Sequence, residues 1–209
     1  MTAHERLSAE AYFENDTFSA LELAGLDLSR KEFQGCTFRH AKLPDSRWTG
    51  AVLEDCTFEL CDLSNGVLKG TAARDVRFSE CKLVGVDWSG LAPGARVEFD
   101  GCDLRYASFA AMHLRKTRLV RCNLAEATFA DVDLTESDFE DSDLPGCSFR
   151  DCVLRGADLS RARGVLVDPA KNRARGVRVS IEAAVLLARS AGMVVSGLDE
   201  PDTRSKRRS

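Results

Sequence analysis

Histidine is scarce in this 209-residue chain, and none of His4, His40 and His113 stands in a nucleophile or metal-binding motif. No two cysteines have the CxxC spacing of a zinc site. Glycine-rich phosphate loops and nucleophile elbows are also missing. Catalytic residues, a metal and a cofactor are therefore not expected, and the chain does not read as an enzyme. No apolar run approaches the roughly 20 residues that cross a bilayer, so no membrane role is expected. The opening stretch MTAHERLSAEA is too polar for a secretory signal, and a cytoplasmic location is expected.

What the chain has instead is a lattice. All eleven phenylalanines fall on a five-residue spacing with one change of phase: Phe13, Phe18, Phe33, Phe38, Phe58 and Phe78, then Phe99, Phe109, Phe129, Phe139 and Phe149. Trp48 and Trp88 share it, and leucine fills most remaining points. A period of five fits neither a helix nor a flat strand. Each unit reads as a small residue, a polar residue, Leu or Phe, then two more polar residues, as in CNLAEATFADVDL. The small and the large residue both point inward with one outward residue between them, which makes a short strand. The last two positions suit a tight corner. Strand and corner in alternation build a solenoid with stacked Leu and Phe inside.

This frame resembles the pentapeptide-repeat proteins. The resemblance implies a right-handed quadrilateral parallel β-helix, four units per coil, over residues 11–163. The lattice points from Phe13 to Trp88 and from Phe99 to Leu159 make about seven coils, a rod of roughly 35 Å at the spacing of paired strands. Residues 1–10 are expected to be a disordered N-terminal segment. The eight cysteines, Cys36, Cys56, Cys61, Cys81, Cys102, Cys122, Cys147 and Cys152, all occupy the small inward position. Stacked side chains lie near ~4.8 Å, longer than the disulfide Cβ separation of about 3.8 Å. Free core thiols are expected.

The lattice breaks once, at residues 89–98, where Pro or Gly replaces a core residue and a bulge is expected. Such a break is either a tolerated insertion or a contact loop, with Leu91, Pro93 and Arg96 as the candidate contacts. Charge is uneven too. Residues 161–209 carry 11 basic and 5 acidic side chains, whereas residues 122–160 hold ten acids against Arg150 and Arg155. That acidic stretch spans about two coils, roughly 10 Å, and matches the charge of duplex DNA at one per ~1.7 Å. A run of charge is either a solvated face or a partner surface.

After Arg163 the repeats stop, and residues 164–197 read as a different module. Ser180 is a candidate N-cap, a short apolar helix follows from Ile181 to Ala191, Gly192 ends it, and Met193, Val194 and Val195 read as a brief strand. A helix this apolar needs cover on more than one side. Residues 198–209 read as a disordered basic tail.

This ending is similar to that of the Qnr-type quinolone-resistance proteins, and the stretch DPAKNR followed by Ser180-Ile181-Glu182-Ala183-Ala184 and Leu186-Leu187 resembles the gyrase-toxin immunity proteins of the microcin and albicidin type. The resemblance implies a homodimer joined through this module by Ile181, Leu186, Leu187, Met193 and Val195. It also implies DNA mimicry toward DNA gyrase, with topoisomerase IV as a second target. Asp138, Glu140, Asp141, Asp143 and Asp158 are the candidate phosphate mimics, expected near the dimer centre. The short break favours immunity to one toxin over protection against synthetic quinolones. No direct nucleic-acid contact is expected. Two other classes stay open: a β-helical scaffold with a non-topoisomerase partner, and a nucleic-acid binder acting through the basic tail.

Overall fold

A pentapeptide unit has too few residues for more than one short strand, and three-residue strands with only the central side chain buried recur throughout, as at Thr17–Ser19 and Glu32–Gln34. The corners need a left-handed residue. Among the described residues, nineteen non-glycine residues supply it, from Asn15 (φ 53°) to Asp151 (φ 57°), all on the five-residue frame. Each carries a cost of about 1–2 kcal/mol, offset by the inter-coil hydrogen bonds that the corner brings into register.

The computed structural model describes residues 2–197. It is a right-handed quadrilateral parallel β-helix of about eight turns with two helices. Numbering the walls in chain order, face 1 pairs strands centred on Phe13, Phe33, Leu53 and Ala73. Face 2 runs from Phe18 through Phe38, Phe58, Phe78 and Phe99 to Leu119. Face 3 is a column of single bridges from Glu22 to Arg163, and face 4 pairs Phe109, Phe129 and Phe149. Residue i therefore stacks on residue i+20, or i+21 across the break. Rings stack accordingly: Phe38 and Phe58 are 4.7 Å apart and 4° from parallel, Phe109 and Phe129 4.6 Å and 2°.

The small inward position has a second task. Its side chain donates to the carbonyl of a residue one coil back: Cys56 Sγ to Phe33 O at 3.4 Å, Thr71 Oγ1 to Trp48 O at 2.6 Å, Ser142 Oγ to Leu119 O at 2.7 Å, and Asn172 Nδ2 to Phe149 O at 3.0 Å. This accounts for Cys, Ser, Thr and Asn at one position: each is compact and carries a donor. All eight cysteines are buried and free.

Both ends differ from the sequence expectation. Residues 1–10 were expected to be disordered, but Ala3–Ala9 forms helix α1, with a capping box between Thr2 and Glu5. Leu7 is fully buried against the first coil, and Arg6 bonds both Glu10 and Asp16. The helix thus covers the open end that a repeat stack must cap. At the other end the coil continues past Arg163, since Leu154 N–H donates to Arg173 O and Arg178 N–H to Ala157 O. Val165 and Val167 are buried there, but Ala174 and Val179 are not.

Helix α2 (Ile181–Ser190) follows, with Ser180 Oγ accepting from Ala183 N–H and Gly192 at φ 77°. The expected strand at residues 193–195 does not form; no neighbouring rung offers it a partner. The break is narrower than expected: Val97–Asp100 is already strand, leaving a 3-10 turn at Trp88–Gly90 and a loop through Arg96.

Candidate partner-binding surfaces

Asp138 and Asp158 occupy outward positions on adjacent coils of face 2, in register. With Glu136 and Glu140 they line a groove of about 370 Å³, which Arg161 also enters. Glu140 and Asp141 stand on the next corner and Asp143 on face 3. The fold therefore brings Asp138, Glu140 and Asp158 into one groove, adds Glu136, and leaves Asp141 and Asp143 around the corner. None of the ten acids of residues 122–160 is buried.

These carboxylates are not bare. Arg161 lies 2.6 Å from Glu140 and 2.8 Å from Asp141, Arg163 2.6 Å from Asp143, and Arg178 3.2 Å from Asp158. Asp138 has no ion pair among the described residues and accepts the Glu140 N–H at 3.0 Å. The Arg163 guanidinium holds the Asp143 carboxyl below the usual carboxylate range. Ser160, through its hydroxyl and its N–H, and then Arg178 do the same for Asp158. Exposed pairs of this kind are weak and exchange easily, so the groove can still offer negative charge to a partner.

The arginines come from one coil further on, where a count over a sequence window does not see them. That coil also bears Lys171, Arg173 and Arg175, and it separates the acids from α2. The expectation that the acids adjoin the C-terminal joint thus meets a basic coil between them. Among the described residues, acids without ion pairs that sequence reading missed lie upstream: Glu14, Glu54 and Asp55, along the edge between faces 1 and 2. Glu14 and Glu54 stand two coils apart in one column, with Gln34 between them, and that forty-residue spacing was the available signal.

At the break, Ala92 N–H donates to Thr71 O and Arg96 N–H to Ala73 O, and a turn at Pro93 and Gly94 replaces the strand. Pro93 is exposed and Leu91 half-buried. Arg96 turns back to clasp Asp75 with two bonds of 2.8 and 2.6 Å. At the C-terminal end the apolar side chains are open: Ile181 is 76% exposed, Leu186 46%, Met193 60% and Val194 84%. Leu187 and Val195 are half-buried, and Ala183 is the buried residue of α2. Among the described residues no group of His, Cys, Asp and Glu could hold a metal, and no helix is long and apolar enough to cross a membrane.

The family model of the pentapeptide repeat region matches residues 31–109 and 95–163. The chain belongs to the pentapeptide-repeat family. Among solved structures, this pentapeptide-repeat protein is similar to the trypsin-treated forms of two point variants of QnrB1, a plasmid-mediated fluoroquinolone resistance protein. The TM-scores are 0.65 and 0.63 at 25% identity, over 88% of this chain and 89% of each of theirs. Full-length QnrB1 matches with a TM-score of 0.50 at 20% identity, over 85% of this chain and all of that one. No curated protein matches the chain. The protein is Qnr-like in its rod, and members of this repeat family are in general structural or interaction proteins.

Proposed function

We propose that this protein is a non-enzymatic, cytoplasmic homodimer that binds DNA gyrase, and topoisomerase IV as a second target, and relieves poisoning by a toxin that traps the enzyme on DNA. The observation that carries the reading is the likeness to QnrB1 across 88% of the chain. The carboxylate groove adds support, with Asp138, Glu140 and Asp158 standing in for phosphates and Asp141 and Asp143 extending the surface. The loop residues Leu91, Pro93 and Arg96 are the second contact. A second copy covers the open apolar face of α2 through Ile181, Leu186, Leu187, Met193 and Val195, since an exposed face of this size marks an interaction site.

The test is gyrase supercoiling with purified protein, titrated with albicidin, a microcin-type poison and a quinolone. Rescue from one poison establishes protection and names the toxin class. Leu187→Asp should leave a folded, monomeric rod; a dimer in sedimentation would remove the C-terminal joint. The scaffold reading, with a partner other than a topoisomerase, draws on the arginines over Glu140, Asp141, Asp143 and Asp158. It requires unchanged supercoiling at high protein excess and no gyrase in a pull-down.

A further inference from the structure

The break in the β-helix does more than extend a loop. Where face 1 loses its strand between Ala73 and Leu114, two hollows open on either side of residues 91–96. One, of about 270 Å³, is lined by Leu91, Pro93, Ala110, Ala111 and Met112. The other, of about 160 Å³, is lined by Arg77, Arg96, Arg115 and Lys116. Ala95 and His113 belong to both, so the hollows adjoin. The first is lined largely by small and apolar side chains, the second by cationic ones.

The cations in the second hollow are unequally engaged. Arg96 is held by Asp75 at 2.6 Å, whereas Arg77 is 3.6 Å from Glu98. Arg115 lies 3.5 Å from Asp133 and Lys116 3.4 Å from Glu136, both one coil further on. Four cations thus face two carboxylates within the hollow, Asp75 and Glu98. The loosely held pair, Arg115 and Lys116, is available to an incoming anion at little cost.

We propose that this double hollow is a docking cleft for an extended segment of a protein partner, in which an apolar residue is followed directly by acidic ones. The apolar residue fills the side bounded by Leu91 and Met112. The carboxylates then meet Arg115 and Lys116 beyond His113. Charge complementarity selects the acidic half, and the adjoining apolar hollow selects a peptide over a nucleic acid. No aromatic side chain lines either hollow to stack on bases. The inference refines the loop contact of the gyrase reading by naming the chemistry of what that contact receives.

The probe is a short fluorescein-labelled peptide with one leucine followed by a run of glutamates, measured by anisotropy against the full chain. Comparators replace the leucine by serine or the glutamates by glutamine, and a short DNA duplex completes the set. The parent peptide should bind best. Arg115→Glu combined with Lys116→Glu should weaken it about tenfold or more. Leu91→Ser should weaken the leucine peptide and leave the serine peptide unchanged. The same reversal at Arg30 and Lys69, on another edge, should have no effect.

Equal binding of the serine peptide, no binding of any peptide, or a duplex bound and then lost on the Arg115 and Lys116 reversal would each overturn the cleft. Gyrase protection that survives this reversal overturns the cleft and spares the gyrase reading. Peptide binding without any effect on gyrase does the opposite. Circular dichroism checks that the variants keep the rod, above all Leu91→Ser, since Leu91 is half-buried against the core.

Discussion

The coils before the break and the coils after it share one backbone but treat their charges differently. Upstream, Glu14, Glu54 and Asp55 stand along one edge without ion pairs among the described residues, and face 3 alternates Glu22, Lys42, Asp62 and Lys82, with Lys42 on Glu22 and Lys82 on Asp62. Downstream the acids are denser, yet Arg161, Arg163 and Arg178 reach back to cover four of the five candidates. In a solenoid, the charge a partner meets is set by the residue twenty positions away, not by the neighbour in sequence. A stretch can be strongly acidic in composition and half-screened at its surface.

Reversing charge on each side tests which surface matters, and this should have the largest effect. Asp138→Lys with Glu140→Lys and Asp141→Lys should abolish the effect on gyrase while circular dichroism stays β-rich. Glu14→Lys with Glu54→Lys and Asp55→Lys should leave that effect intact. The opposite outcome would move the DNA-like surface upstream.

Next in size is the unmasking of the downstream acids. Arg161→Gln with Arg163→Gln should tighten gyrase binding severalfold, about 1 kcal/mol, as read by titration at low salt. Weaker binding would make these arginines contacts in their own right.

The two tryptophans sharpen the comparison inside the core. Trp48 Nε1–H donates to Ser46 Oγ at 2.9 Å, whereas the indole N–H of Trp88, at the break, is buried without a partner because Val86 stands where Ser46 does. Ser46→Val should destabilise the rod by about 1–3 kcal/mol by orphaning the first indole. Val86→Thr should stabilise it by about 1 kcal/mol by supplying an acceptor to the second. Urea midpoints at constant slope would report both.

The smallest effect concerns pH. Asp143 and Asp158 have folded-state pKa values below their unfolded ones. Their contribution is therefore complete above about pH 4 and is lost as pH falls through the lower folded values. Both sites are largely open to solvent, so the change is modest. The melting temperatures of the parent and of Arg163→Gln should differ slightly near neutrality and converge in acid.

The walls were legible because the rule that makes them is local: one large residue every five, read off Phe, Trp and Leu. The ends obey other rules. The first helix carries its signal in Thr2 and Glu5, a capping box beside Leu7, in a segment whose polar composition hides it. The last coil carried none, since Ala174 and Val179 take the places of Leu and Phe while the backbone ladder continues. Val194 and Val195 suggested a strand by composition, but a strand needs a neighbour. The acids were found by counting; their arginine partners, and the edge at Glu14 and Glu54, needed the four-sided register.

The free thiols turn the rod into a recorder of its own fraying. Each is shut from water only while its coil lies on the next, and they are spread from Cys36 near one end to Cys152 near the other. Alkylation followed by peptide mass mapping would time-stamp the opening of successive coils and show whether the stack comes apart from its helical caps or from the break at its middle.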